Sequence, residues 1–144
     1  MADLSRHIAA ELENIYASTA QIPPKVNLKA LRRLELIGVA TIISNFYHGV
    51  ENILKQIFIF KKIRILSDER WHKRLLEVSL QEGIIQRETY NHLLKFLAFR
   101  HFYTHAYSID VDPDKLSILV TSLKSTLKAF ESDLYSSGHY HPSP

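Results

Sequence analysis

Between positions 100 and 107 the chain reads Arg100-His101-Phe102-Tyr103-Thr104-His105-Ala106-Tyr107, placing a guanidinium, two imidazoles and two phenols within eight residues. Such groups suit the cutting of RNA by its own 2′-hydroxyl. One group must take the 2′-OH proton, another must neutralise the charge gathering on phosphorus, and a third must protonate the departing 5′-oxygen. Histidine titrates near neutrality and serves as base or acid. Arginine stays charged and grips two phosphate oxygens at once. With both present, the chemistry requires no metal. Spacing imposes a condition, however. On a regular helix, residues five apart differ by about 140° around the axis and about 7.5 Å along it. Arg100 and His105 therefore do not share a face, whereas Arg100 and Tyr107, seven apart, do. Convergence of Arg100 and His105 takes long side chains, a distorted helix, or a dimer in which two copies of this helix face one cleft. Phe96, Phe99 and Phe102 add apolar surface for such a dimer. A hydrogen-bonded seam between helices uses the same residue types, so the R-x4-H spacing alone leaves catalysis and packing both open.

The elements that must carry these residues are helical. Leu4, Ile8, Leu12, Ile15, Thr19 and Ile22 recur every three or four residues as one amphipathic face, which Pro23-Pro24 ends. Asn27 is placed to cap a long second helix running to about Lys62, in which Gly38 and Gly49 allow a bend or a close helix approach. Ser67 or Asp68 caps a third helix stopping at Gly83. A fourth spans about Gln86 through Tyr107, with Tyr90, Leu93, Leu94, Leu97, Ala98 and Phe102 expected inside. Asp112-Pro113 opens a fifth, lined by Leu116, Leu119, Val120, Leu123, Leu127, Phe130 and Leu134. The pattern predicts an all-α five-helix bundle over residues 1–135 and a flexible C-terminal tail over 136–144.

Composition bounds the remaining possibilities. The chain has 144 residues and no cysteine, which excludes disulfides and thiolate zinc sites and fits a cytoplasmic location. No segment reads as a secretory signal or a bilayer span, so no membrane association is expected. The net charge of +3 is mild, but Lys55–Arg74 holds seven Lys/Arg against Asp68 and Glu69, a local excess able to steer a polyanion. His48 and Glu51, three apart, share a helix face but lack further ligands at metal-binding spacing; His139 and His141 fall in the tail. Trp71 reads as a core or interface anchor. Gly-rich phosphate loops, G-x-S-x-G and nucleotide-binding fingerprints do not occur.

The segment FRHFYTHAYSID closely resembles the signature of HEPN-domain ribonucleases, specifically the HepT-like toxins of HEPN/MNT toxin–antitoxin pairs. Their pattern is R-x4-H-x-Y with a polar residue directly after the arginine, and it falls here on Arg100, His101, His105 and Tyr107. WHKRLLEVSLQEGIIQRETYNHLLKFLAFRHFYTHAY looks like the family's third and fourth helices, including the EGII turn at Glu82–Ile85. FYHGVENILK, Phe46–Lys55, looks like its second. The resemblance covers roughly residues 1–135. It implies a HEPN-type bundle that dimerises through the motif helices, and a metal-independent, cofactor-free endoribonuclease toxin of a type VII-like system acting on tRNA or mRNA. Arg100 would hold phosphate, His105 would transfer protons and His101 would support them. Glu51 is the candidate for the acid that accompanies the motif from the second helix, orienting Arg100 or His105. Tyr107 matches the tyrosine that a partner MNT nucleotidyltransferase antitoxin AMPylates. The competing expectation is a non-catalytic helical module that binds a nucleotide or a protein with the same cleft.

Overall fold

The computed structural model describes residues 2–105 and 111–142, with His105 described by its backbone alone. Five α-helices and no strand are found among them: α1 (Ala2–Thr19), α2 (Arg33–Lys61), α3 (Trp71–Gln81), α4 (Arg87–His105) and α5 (Pro113–Ser136). The all-helical expectation is therefore met. α2 is the central post. α1 and α4 pack along it, α3 folds back on α4 as a hairpin, and α5 closes the bundle against α4 and α2.

The long, apolar α2 supplies the middle of the core through Ile43, Phe46, Tyr47, Val50, Ile53, Leu54 and Ile57, all 1% exposed or less. The α1 stripe meets it as the spacing predicts, with Leu4, Ile8, Leu12 and Ile15 buried. Contact is closest at Gly49, where a Cβ would lie 2.7 Å from both Cγ1 and Cδ1 of Ile15. Of the two roles expected for glycine in this helix, close approach applies at Gly49; at Gly38 nothing lies within 4 Å of a built Cβ.

Helix ends depart from the sequence reading where local hydrogen bonds outcompete the expected caps. Asn27 makes no side-chain cap and is followed only by a 3₁₀ turn, Leu28–Ala30. α2 starts at Arg33, because Glu35 reaches back to accept from the Arg32 backbone N–H at 3.0 Å. Asp68 accepts from the Arg70 backbone N–H at 3.0 Å and pairs with Arg74 at 2.8 Å, so it organises the turn ahead of α3. At the start of α4, the Gln86 backbone N–H is received by Asp133 of α5 at 2.9 Å, a cap delivered from another helix. Gly83, at φ +71°, ends the α3 segment, and Ile84 and Ile85 plunge into the core.

The inner face of α4 also differs. Thr89, Leu93 and Phe96 are buried, while Ala98 and Phe102 are exposed. Polar and apolar residues are interspersed around this helix with little bias to one side, so periodicity could not choose its inside face; the positions of α2, α3 and α5 do. Phe96, expected at a dimer surface, instead meets Phe46 edge-on at 4.9 Å in the core. Residues 137–142 depart from the expected loose tail. Gly138, at φ +83°, reverses the chain, His139 and Tyr140 are buried, and the His141 backbone exchanges hydrogen bonds with Ser5 Oγ at 3.0 and 3.2 Å.

The two glycines of α2 should respond in opposite directions. Gly49→Ala forces Ile15 to move and should destabilise the protein by about 1–2 kcal/mol. Gly38→Ala relieves backbone entropy in open space and should stabilise it by about 0.5–1 kcal/mol. Thermal unfolding of both variants checks the contrast. Asp112 accepts the Asp114 backbone N–H at 2.9 Å, and Asp112→Ala should cost about 1 kcal/mol by the same measurement.

Candidate functional site

α2 is apolar over most of its surface, yet Thr41, Ser44, His48, Glu51 and Lys55 recur at steps of three and four. This spacing lays a polar seam along one face. α4 runs antiparallel beside it. Tyr103 Oη and Thr41 Oγ1 meet at 2.7 Å, and one turn along, Arg100 meets Ser44 and His48. The ring of Phe99 stacks on that of Tyr103.

Arg100 is half-buried and engaged in detail. Its Nη1 donates to the Ser44 carbonyl at 3.1 Å and to Ser44 Oγ at 2.9 Å. Its Nη2 faces His48 Nδ1 at 3.4 Å. A guanidinium only donates, so the His48 nitrogen facing it must accept, which leaves the neutral ring protonated at Nε2. Burial, and after it the Arg100 charge, hold the His48 imidazole below the usual histidine range. Among the described residues no carboxylate is paired with Arg100. Among the described residues its charge is met by neutral acceptors alone.

Glu51, 1% exposed, does not hold Arg100. Its Oε2 lies 2.6 Å from Nδ1 of His72, on the first turn of α3. The Tyr47 phenol, buried nearby, is pushed well above its ordinary pKa by burial first and by the Glu51 charge second, so it stays neutral. Trp71 stacks on His72 with centroids 3.6 Å apart, and Lys55 Nζ sits 4.2 Å over the Trp71 ring. Trp71 thus anchors the α2–α3 corner. The exposed Lys62, Arg64, Arg70 and Lys73 of the basic run surround the entry to α3, close in sequence to His72.

Of the expected site residues, Arg100 lies on the seam. His101 is exposed on the next step around α4, whose Thr104 hydroxyl donates to the Arg100 and His101 carbonyls. His105 is the last residue of α4, five positions from Arg100, and Tyr107 falls outside the described residues. Ser44 and His72 were not singled out by sequence reasoning, and His48 was weighed only as a metal ligand. The signal that could have found Ser44 and His48 is the run of polar residues at heptad-like spacing through an apolar helix. His72 had no signal, because its partner is on another helix. Among the described residues no three His, Cys, Asp or Glu side chains cluster as metal ligands. No helix there is long and apolar enough to cross a membrane.

Comparison with known proteins places this geometry in a family. Among solved structures, the cytosolic protein of unknown function YutE from Bacillus subtilis superposes with a TM-score of 0.74 at 13% identity, over 90% of this chain and 86% of its own. At that identity the likeness is one of fold. No curated protein matches. The family of HepT-like proteins matches residues 38–139, a span that begins just before the polar seam of α2 and takes in the whole Arg100–Tyr107 segment. The match spans most of the chain, and the chain belongs to the HepT-like family.

Proposed function

We propose that this protein is a metal-independent endoribonuclease toxin, held in check by a nucleotidyltransferase partner. The observation that carries the reading is the setting of Arg100. Its guanidinium is fixed by Ser44 and His48, with no carboxylate spending its charge among the described residues. A purely structural arginine at a helix seam is expected to sit against a carboxylate or to be fully covered. Arg100, half-exposed, is suited to bind a phosphodiester and to neutralise charge on the transition state. His105, on the same helix, is the proton-transfer group of the motif, and His101 supports it. RNA, either transfer or messenger, is the substrate class, and the basic residues before α3 favour its approach.

A homodimer brings a second copy of the motif helix to the site. Phe102, 50% exposed on α4, and Ile118, 63% exposed on α5, border an apolar cleft of about 390 Å³ with Lys95 and Lys115 at its rim. That face fits a symmetric contact through α4. Tyr107 lies two residues beyond His105. AMP added there introduces bulk and negative charge where RNA phosphate must sit, blocking it by sterics and like-charge repulsion.

Pure protein incubated with total RNA in EDTA should cut it, and sequencing of the cut ends should show 2′,3′-cyclic phosphate termini. Arg100→Ala and His105→Ala should each lower the rate by about 10²-fold or more. Intact RNA in all samples would favour the non-catalytic binding module instead. Co-expression with a genetically adjacent nucleotidyltransferase should add AMP mass units to the wild type and none to Tyr107→Phe. An unmodified wild-type chain under those conditions would remove the partner from the account.

A further inference from the structure

Transfer of a 2′-hydroxyl proton and protonation of a leaving 5′-oxygen call for two proton-transfer groups, and the R-x4-H motif supplies one histidine in the expected role. The seam brings in two further imidazoles, His48 of α2 and His72 of α3, whose partners fix them in opposite states. His48 turns Nδ1 to Arg100, which can only donate, so its outer nitrogen carries a proton and has no lone pair to offer. The Arg100 charge beside it also opposes formation of an imidazolium. His72 turns Nδ1 to Glu51 at 2.6 Å. A carboxylate accepts, so Nδ1 is the protonated nitrogen and Nε2 keeps a free lone pair. Glu51 is 1% exposed while the His72 side chain is 38% exposed. The carboxylate is therefore shielded from water, and the ring it orients is open to a substrate. A buried carboxylate behind a solvent-facing imidazole is the arrangement that fixes a tautomer and stabilises the imidazolium formed on proton uptake.

We propose that His72 is the general base of this site and that Glu51 is its positioning residue. The assignment rests on the ribonuclease reading above and adds a residue from outside the motif. Position supports it. The Arg100 guanidinium spans the Ser44–His48 turn, and Glu51 lies one step farther along the same face of α2, about 5 Å of helix rise. In this assignment a strand whose phosphate lies on Arg100 is set alongside the His72 side chain. In the reaction, His72 Nε2 takes the 2′-OH proton and the freed oxygen pair bonds to phosphorus. The bond from phosphorus to the 5′-oxygen breaks, and that oxygen takes a proton from the His105 imidazolium. The products are a 2′,3′-cyclic phosphate and a 5′-hydroxyl, with the two histidines left in exchanged protonation states. The charged groups that bear on His72 are Glu51 directly and Lys55 across the Trp71 ring, both from α2, with Arg100 of α4 beyond His48.

The test is the pH dependence of RNA cleavage by wild type, His72→Ala, Glu51→Gln and His105→Ala, with the fold of each checked by thermal unfolding. A general base must be unprotonated, so the wild-type rate should rise with pH on the acid side of its profile. That rise should vanish in His72→Ala, with a loss of about 10²–10⁴-fold. Glu51→Gln should reproduce much of the loss at unchanged KM, since an amide donating to Nδ1 reverses the tautomer. Imidazole ¹⁵N shifts should show His72 protonated at Nδ1 in the wild type and at Nε2 in Glu51→Gln; the folded His72→Ala variant keeps the assignment testable if Glu51→Gln does not fold. Wild-type cleavage that is abolished by His105→Ala but within threefold of normal in His72→Ala would overturn this assignment and leave the ribonuclease reading standing. An inactive wild type would overturn both, and an Nε2-protonated His72 in the wild type would overturn the base role by itself.

Discussion

A guanidinium that enters a helix–helix seam must find acceptors there, because an arginine cannot shed its charge and pays heavily for lost water. In this protein α2 supplies them from Ser44, carbonyl and hydroxyl together, with His48 one turn on. The other polar contacts of the seam follow the same register. Thr41 fixes Tyr103 on one side, and Glu51 fixes His72 on the other. If α4 slid by one residue along α2, Arg100 would turn away from Ser44 and Phe96 would leave its place against Phe46. The functional face and the core are therefore set by one packing register.

That register depends on a rigid α2. Close packing of α1 at Gly49 holds one side, and the chain end returning from α5 through Gly138 to Ser5 ties α1 in turn. The α3–α4 hairpin holds the other side, with Asp133 of α5 capping the start of α4. Each tie is modest alone, since a single hydrogen bond contributes only about 1 kcal/mol. Together they leave α2 little freedom to shift its polar face relative to the motif helix.

Charge placement separates the two imidazoles of the seam. One ring nitrogen meets a cation and the other meets an anion, so two residues of the same type acquire different chemistry from their partners alone.

The amino-acid sequence by itself determined the helical class, the stripe of α1, the Asp112-Pro113 start of α5 and the family, because these rest on periodicity, local capping and a contiguous motif. It could not determine which side of α4 faces inward: that helix mixes polar and apolar residues on every side, and only its neighbours select Leu93 and Phe96 over Ala98 and Phe102. It could not foresee the fixed chain end, since a turn at Gly138 becomes an anchor only when α1 lies beside it. Arg100 was legible in the sequence; its partners were not. Ser44 is 56 residues away, and Glu51 meets a histidine 21 residues away rather than the arginine. Hydrogen bonds between helices depend on register and rotation, which are settled by the packing of the whole bundle and leave no mark at short range.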